Sequence, residues 1–269
     1  MNTHNDAKMV EFLDIDTKNL HFSWHPGDGE RAVVFINSLG TDLRIWDDVV
    51  SRMPTSIPHF RYDKCGHGLS TGESHTITEF AGNLASLLDH VGISDALICA
   101  VSIGGLIAQE LASQRSDLVS GLLLSNTSYR IGDNDSWESR LSEIDKLGIE
   151  LIADDIMKRW FSPRFSEVQQ SQLLGYRTML VRTPIAGYRA ACTAIRDANL
   201  ETTSAKLKCP TLCIAGSDDQ ATPEASVRSL AKLIPNAEYL CFDQVGHLPC
   251  IEVPDKFTEA LLEFHEKLS

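Results

Sequence analysis

Long apolar runs are missing from this chain: no window reaches 18 consecutive apolar residues, so nothing in it is built to span a bilayer. The opening residues, Met1-Asn2-Thr3-His4-Asn5-Asp6, carry no apolar block of the secretory kind, and a cytoplasmic protein is the expectation. A surplus of positive charge is missing too. The formal net charge is −13, with 24 Lys and Arg against 37 Asp and Glu, which argues against a nucleic-acid-binding face. The same field repels an anionic ligand, so a site for one must supply its own arginines. Cysteine pairs are absent as well. The seven cysteines (65, 99, 192, 209, 213, 241 and 250) are odd in number and scattered, and the nearest spacing is Cys209-Pro210-Thr211-Leu212-Cys213. They read as reduced thiols, several of them small residues inside strands. No Cys/His cluster has metal-ligand spacing, so no metal is expected. Internal repeats and low-complexity tracts are also lacking.

What remains is ordinary globular material. The 269 residues are 43% hydrophobic and 23% charged, enough for one large domain or a core with an insertion. Short apolar runs alternate with amphipathic stretches, the pattern of an α/β fold with a mostly parallel sheet and crossover helices. Val10 to Ile15 and Leu20 to Trp24 resemble a strand pair closed by Pro26-Gly27-Asp28-Gly29. Ala32 to Ile36, Leu97 to Val101, Gly121 to Ser125, Thr211 to Ala215 and Glu238 to Phe242 follow as continuous runs, which suits strands buried on both faces. Thr76-Ile77-Thr78-Glu79 has capping-box spacing before Phe80, Leu84, Leu87, Leu88 and Val91, and Gly92 supplies a stop. A last helix starts near Pro254, with Phe257, Leu261, Phe264 and Leu268 on one stripe. Between Asn126 and about Lys208 the strand-like runs vanish. The division read from this is a core of residues 1–128 and 207–269, with a helical cap, residues 129–206, inserted over the carboxyl ends of the strands, where open α/β sheets bind ligands.

The informative stretch is Leu97-Ile98-Cys99-Ala100-Val101-Ser102-Ile103-Gly104-Gly105-Leu106. An apolar strand runs straight into a serine flanked by tiny residues, and a helix begins at once. A nucleophilic serine on so sharp a bend needs small residues two positions to either side, and Ala100 and Gly104 meet that need. The order serine, acid, histidine then points downstream. His247, in Val245-Gly246-His247-Leu248-Pro249, is the histidine; His21, His25 and His75 read as surface or loop positions and His67 as structural. Ser217-Asp218-Asp219-Gln220 offers two carboxylates after the penultimate strand, and the spacing favours Asp219 over Asp218. An oxyanion hole needs two backbone N–H groups. Ile103 at the helix start is one, and Leu39 in Asn37-Ser38-Leu39-Gly40 is the other.

These residues carry a resemblance. Phe35-Ile36-Asn37-Ser38-Leu39-Gly40-Thr41-Asp42-Leu43-Arg44-Ile45-Trp46 resembles the oxyanion loop of the 3-oxoadipate enol-lactonases, a group with the α/β-hydrolase fold in which Asn-Ser-Leu-Gly replaces the usual His-Gly. Leu124-Ser125-Asn126-Thr127, Arg159-Trp160-Phe161-Ser162-Pro163-Arg164-Phe165 and the segment from Gly187 to Leu200 are similar to the same group, and the likeness runs from about residue 30 to the C-terminus. Two positions depart from it: Ala100 stands where glycine is usual, and Cys65 where relatives carry Arg. The resemblance implies hydrolysis of 3-oxoadipate enol-lactone to 3-oxoadipate in aromatic-compound breakdown, without cofactor. Ser102 would act as nucleophile, His247 as base and Asp219 as its partner. The substrate it implies is a small anionic lactone, so a cap guanidinium is wanted. Arg130, Arg159, Arg189 and Arg196 are candidates, with Trp137 and Trp160 as candidate pocket walls; each has an ordinary structural reading beside the functional one. A general carboxylesterase, another lactonase, a carbon–carbon bond hydrolase or a cofactor-free haloperoxidase would share the same three residues. A binding protein that had lost the chemistry is the non-enzymatic alternative, and a homo-oligomer is left open.

Overall fold

The computed structural model describes residues 11–29 and 31–268. Val10 and the polar opening hexapeptide lie outside the described residues. Eight strands form one sheet: β1 (Glu11–Ile15), β2 (Lys18–His25), β3 (Val33–Ile36), β4 (His59–Tyr62), β5 (Ala96–Val101), β6 (Val119–Ser125), β7 (Thr211–Gly216) and β8 (Glu238–Phe242). Their spatial order is β1-β2-β4-β3-β5-β6-β7-β8. β2 runs antiparallel to both β1 and β4, and every later pairing is parallel. Every residue of β3, β5 and β7 is buried, as expected for continuous apolar runs covered on two faces. The terminal strands β1 and β8 are only partly covered.

Helices α1 (Asp47–Val50), α2 (Ile77–Val91) and α3 (Ile103–Gln114) follow the first strands. Thr76 caps α2 by accepting from the Glu79 amide, and Gly92 ends it in the left-handed region at φ 73°. Between β6 and β7 come α4 (Asn134–Trp160), α5 (Pro163–Val168), α6 (Gln170–Val181), α7 (Ile185–Asp197) and α8 (Glu201–Ser204), with no strand among them. α4 is two helices in series, broken at Gly148 (φ 75°, ψ 167°). α9 (Glu224–Leu233), α10 (Pro249–Glu252) and α11 (Pro254–Lys267) complete the core.

Several details differ from the sequence expectation. β4, His59-Phe60-Arg61-Tyr62, is an eighth strand that the apolar runs do not announce. It is four residues long and half polar, yet fully buried between β2 and β3, with Arg61 in an ion pair with Asp47. β1 and β2 are joined by the turn at Asp16 and Thr17, while Pro26–Gly29 instead meets the Ser56 carbonyl through the Asp28 and Gly29 amides. His21 is not a surface residue: it is buried in β2 with Nδ1 2.7 Å from Asp63 Oδ2. His25 is likewise a strand residue, its ring 4.8 Å from that of His59. His75 is exposed, and His67 is fully buried. All seven cysteines are free thiols. No helix among the described residues is long and apolar enough to cross a membrane, and no group of three metal-ligating side chains occurs among them.

Candidate active site

Ser102 sits where β5 gives way to α3, at φ 61° and ψ −124°. A non-glycine residue at positive φ is strained, and such strain persists only where the surroundings over-determine it. Here they do. The Ser102 amide donates to the Ser125 carbonyl (3.1 Å), and its own carbonyl accepts from Thr127 Oγ1 (2.7 Å) and the Gly105 amide (2.8 Å). A Cβ on Gly104 would lie 2.4 Å from the Ile36 carbonyl oxygen, so α3 crosses β3 too closely for any side chain there. That is the physical reason for a tiny residue two positions after the serine. Ala100 is fully buried, and its methyl group is accommodated within β5.

The loops after β7 and β8 bring Asp219 and His247 together. His247 Nδ1 lies 2.9 Å from Asp219 Oδ2, and both side chains are buried. The carboxylate is saturated: Oδ2 also accepts from Asn126 Nδ2 (2.9 Å), while Oδ1 accepts from the Ala221 (2.7 Å) and Thr222 (2.9 Å) amides. Asp218 takes no part in this cluster, because its Oδ1 instead meets Ser217 Oγ at 3.2 Å. Asp219 is therefore the carboxylate that orients the imidazole.

The segment carrying His247 is held from both sides. The Gly246 carbonyl accepts from Asn126 Nδ2 (3.1 Å), and the His247 amide donates to the Trp160 carbonyl in the cap (2.7 Å). Glu252 closes the arrangement, accepting from the Gly246 amide (3.0 Å), the Ser162 amide (3.0 Å) and Ser162 Oγ (2.6 Å). Burial pushes the Glu252 carboxyl up from its ordinary value, while those donors pull it down. Asn126, at φ 48° just after β6, and Glu252 have positioning roles that no motif announced. In the sequence Asn126 lies within Leu124-Ser125-Asn126-Thr127, a stretch similar to the enol-lactonases. Its signal was its place, since the end of a central parallel strand is where ligand-site residues gather.

Ser102 and His247 line one cavity beneath the cap, with Ser38, Leu39, Ala221 and Thr222 as the other core contributions. Trp137, Arg140, Arg159, Trp160 and Tyr188 face it from α4 and α7. Ile103 begins α3, where the N–H has no partner within the helix, and Leu39 borders the cavity from the loop after β3. Two candidate walls, Trp137 and Trp160, are in place. Three candidate arginines are not. Arg189 pairs with Asp145, Arg196 with Glu138 and Asp197, and Arg130 is exposed beside Asn134. Acidic neighbours on the cap surface take up two of these guanidinium groups.

The cavity cations are instead Arg159 and Arg140, the second of which the sequence reading missed. Arg159 makes no ion pair among the described residues. Burial holds its guanidinium below the ordinary value, and the Arg140 charge beside it adds to that. Arg140 has a long ion pair with Glu143 (3.9 Å) and Arg159 has none among the described residues, and two guanidinium groups lining one cavity make a site that an anion would relieve. Helical spacing could have flagged Arg140, three residues after Trp137 and so on the same face.

Comparison with known proteins agrees with this fold. The sequence model of the Alpha/beta hydrolase family matches residues 33–260. The 3-oxoadipate enol-lactonase 1 of Acinetobacter baylyi is 30% identical over 250 residues, spanning 92% of this chain and 93% of that protein. The 3-oxoadipate enol-lactonase 2 of the same organism is 29% identical over 238 residues, 87% of this chain and 89% of that one. The crystal structure of the enol-lactonase from Burkholderia xenovorans superposes with a TM-score of 0.91 at 31% identity, covering 95% of this chain and all of the other.

Proposed function

The chain belongs to the alpha/beta hydrolase family, and we propose that it is a serine hydrolase that opens the ring of 3-oxoadipate enol-lactone to give 3-oxoadipate in the breakdown of aromatic compounds. The observation that carries the reading is the cavity itself, in which a serine and a carboxylate-oriented histidine face two arginines. A neutral ester needs the first pair; an anionic lactone needs both.

Ser102 Oγ attacks the lactone carbonyl as His247 takes its proton, and Asp219 stabilises the imidazolium. The carbonyl oxygen gains negative charge in front of the Leu39 and Ile103 amides, the latter at the positive end of α3. The ring C–O bond then breaks. Its oxygen leaves as an enolate, a better leaving group than a simple alkoxide, and takes the proton back from His247. The freed enol tautomerises to the ketone. Water, deprotonated by the same imidazole, cleaves the acyl-serine and releases the second carboxylate. Arg159 and Arg140 hold the carboxylate already present, against the repulsion of a chain with net charge −13.

The test follows loss of the enol-lactone by its absorbance with wild type and Ser102→Ala. The expected result is turnover of the lactone far above that of p-nitrophenyl acetate, and loss of both activities in the variant. Wild type that cleaves the simple ester and leaves the lactone untouched would remove the substrate assignment, while a Ser102→Ala protein of undiminished activity would remove the mechanism.

A further inference from the structure

The loop that presents Leu39 to the cavity rests on a buried ammonium. Lys64 follows β4, is 1% exposed, and forms no ion pair among the described residues. Its Nζ donates instead to two backbone carbonyls of the loop after β3, those of Ser38 and Thr41. The Ser38 carbonyl and the Leu39 N–H belong to one peptide unit, and no peptide bond described is cis. In a trans peptide the two groups point in opposite directions. With the carbonyl turned down onto Lys64, the Leu39 N–H is turned up, on the side where Leu39 borders the cavity with Ser102. A cation on the carbonyl also polarises the amide and strengthens its N–H as a donor.

We infer that Lys64 is a positioning residue for the oxyanion hole, fixing and polarising the Ser38–Leu39 peptide through the Ser38 carbonyl. The inference rests on the serine-hydrolase reading of the cavity.

The surrounding groups leave the ammonium to this task. Asp63 is occupied by His21 and by the Leu43 and Leu69 amides, and Asp42 by Arg44. His67, the third titratable neighbour, is fully buried, and burial together with the Lys64 charge keeps its ring well below the ordinary histidine range. Burial also lowers Lys64 itself to about 7, with Asp63 and Asp42 opposing. Loss of the proton would leave an amine that still donates to the carbonyls but no longer polarises them. Lys64 shares the holding of the loop, since Thr41 Oγ1 also donates to the Ser38 carbonyl (2.9 Å) and Asn37 Nδ2 to the Thr41 carbonyl (2.6 Å), so the loop keeps its general course without the ammonium.

The experiment compares wild type, Lys64→Met and Lys64→Gln in hydrolysis of phenyl acetate from pH 6 to 9. Lys64→Met is expected to lower kcat about 10- to 100-fold with KM within about twofold, the scale of losing a good oxyanion donor or part of one. Lys64→Gln, a neutral donor of similar reach, should fall between the two. Wild-type kcat should step down above neutrality to a lower, non-zero plateau, and that step should be missing from both variants. A Lys64→Met enzyme with wild-type kcat and the wild-type pH profile overturns the inference and leaves the hydrolase reading intact. Wild type without esterase or lactonase activity removes the hydrolase reading instead. A second measurement needs neither turnover nor a Lys64 variant: in a His247→Ala protein, the Leu39 amide proton resonance should titrate between pH 6 and 9. A resonance that stays still across that range overturns the inference.

Discussion

Asn126 has one side-chain amide and two tasks, holding Asp219 Oδ2 and the Gly246 carbonyl on either side of the imidazole. Asn126→Ala is expected to lower kcat about tenfold with little change in KM, because ground-state binding does not use it. Asp219→Asn should be far more damaging, about 10³- to 10⁴-fold in kcat, since an amide in place of the carboxylate favours the wrong tautomer of His247. Steady-state kinetics on the lactone checks both, and equal effects would refute the division of labour. The arginines separate by substrate charge. Arg159→Met is expected to raise KM for the anionic lactone about 10- to 100-fold while leaving a neutral acetate ester within about twofold; a uniform loss would mean that the side chain only supports the cap. At this scale, the residues with a fixed order along the chain were legible: serine after an apolar strand, acid and histidine after the last two strands. Of the cap arginines named from the sequence only Arg159 lines the cavity, because their roles depend on which carboxylates lie nearby. Arg189 and Arg196 meet Asp145 and Glu138 across inter-helix contacts that no one-dimensional pattern encodes.

Among the elements, the short helix α10 does more than its four residues suggest. Its Glu252 gathers the amides of Gly246 and Ser162 and the Ser162 hydroxyl, joining the loop after β8 to the chain just beyond α4. Glu252→Ala leaves three donors without an acceptor and is expected to cost about 2–4 kcal/mol, read as a lower urea midpoint at constant m-value. Activity should fall with it, because the same loop carries His247. An unchanged midpoint would show that water replaces the carboxylate at no cost. The helices with a strong apolar stripe and a marked end, α2 and α11, stood out in the sequence for a plain reason: their caps and packing faces are local. β4 did not, since its burial comes from neighbours on both sides in the sheet rather than from its own composition.

For the molecule as a whole, Lys64 makes stability depend on pH in a direction opposite to that of a surface lysine. Its value falls from 10.5 to about 7 on folding, so between those limits the unfolded chain binds the extra proton. Stability therefore rises with pH across that window, and the full penalty for burying the charge is present below about 7. The total is of the order of 4–5 kcal/mol, at about 1.4 kcal/mol for each unit. Urea unfolding of wild type and Lys64→Met at pH 7 and 9 should show the gap between them shifting towards wild type as pH rises; a constant gap would contradict it. The Trp160 carbonyl that receives the His247 amide belongs to the cap, so on the proposed function the segment that would select the ligand also bears on the group that would move the proton. Grafting a homologue's cap onto this core, or shuffling caps to change specificity, would therefore alter turnover along with selectivity, and the transplant would need to bring a matched backbone acceptor at that junction.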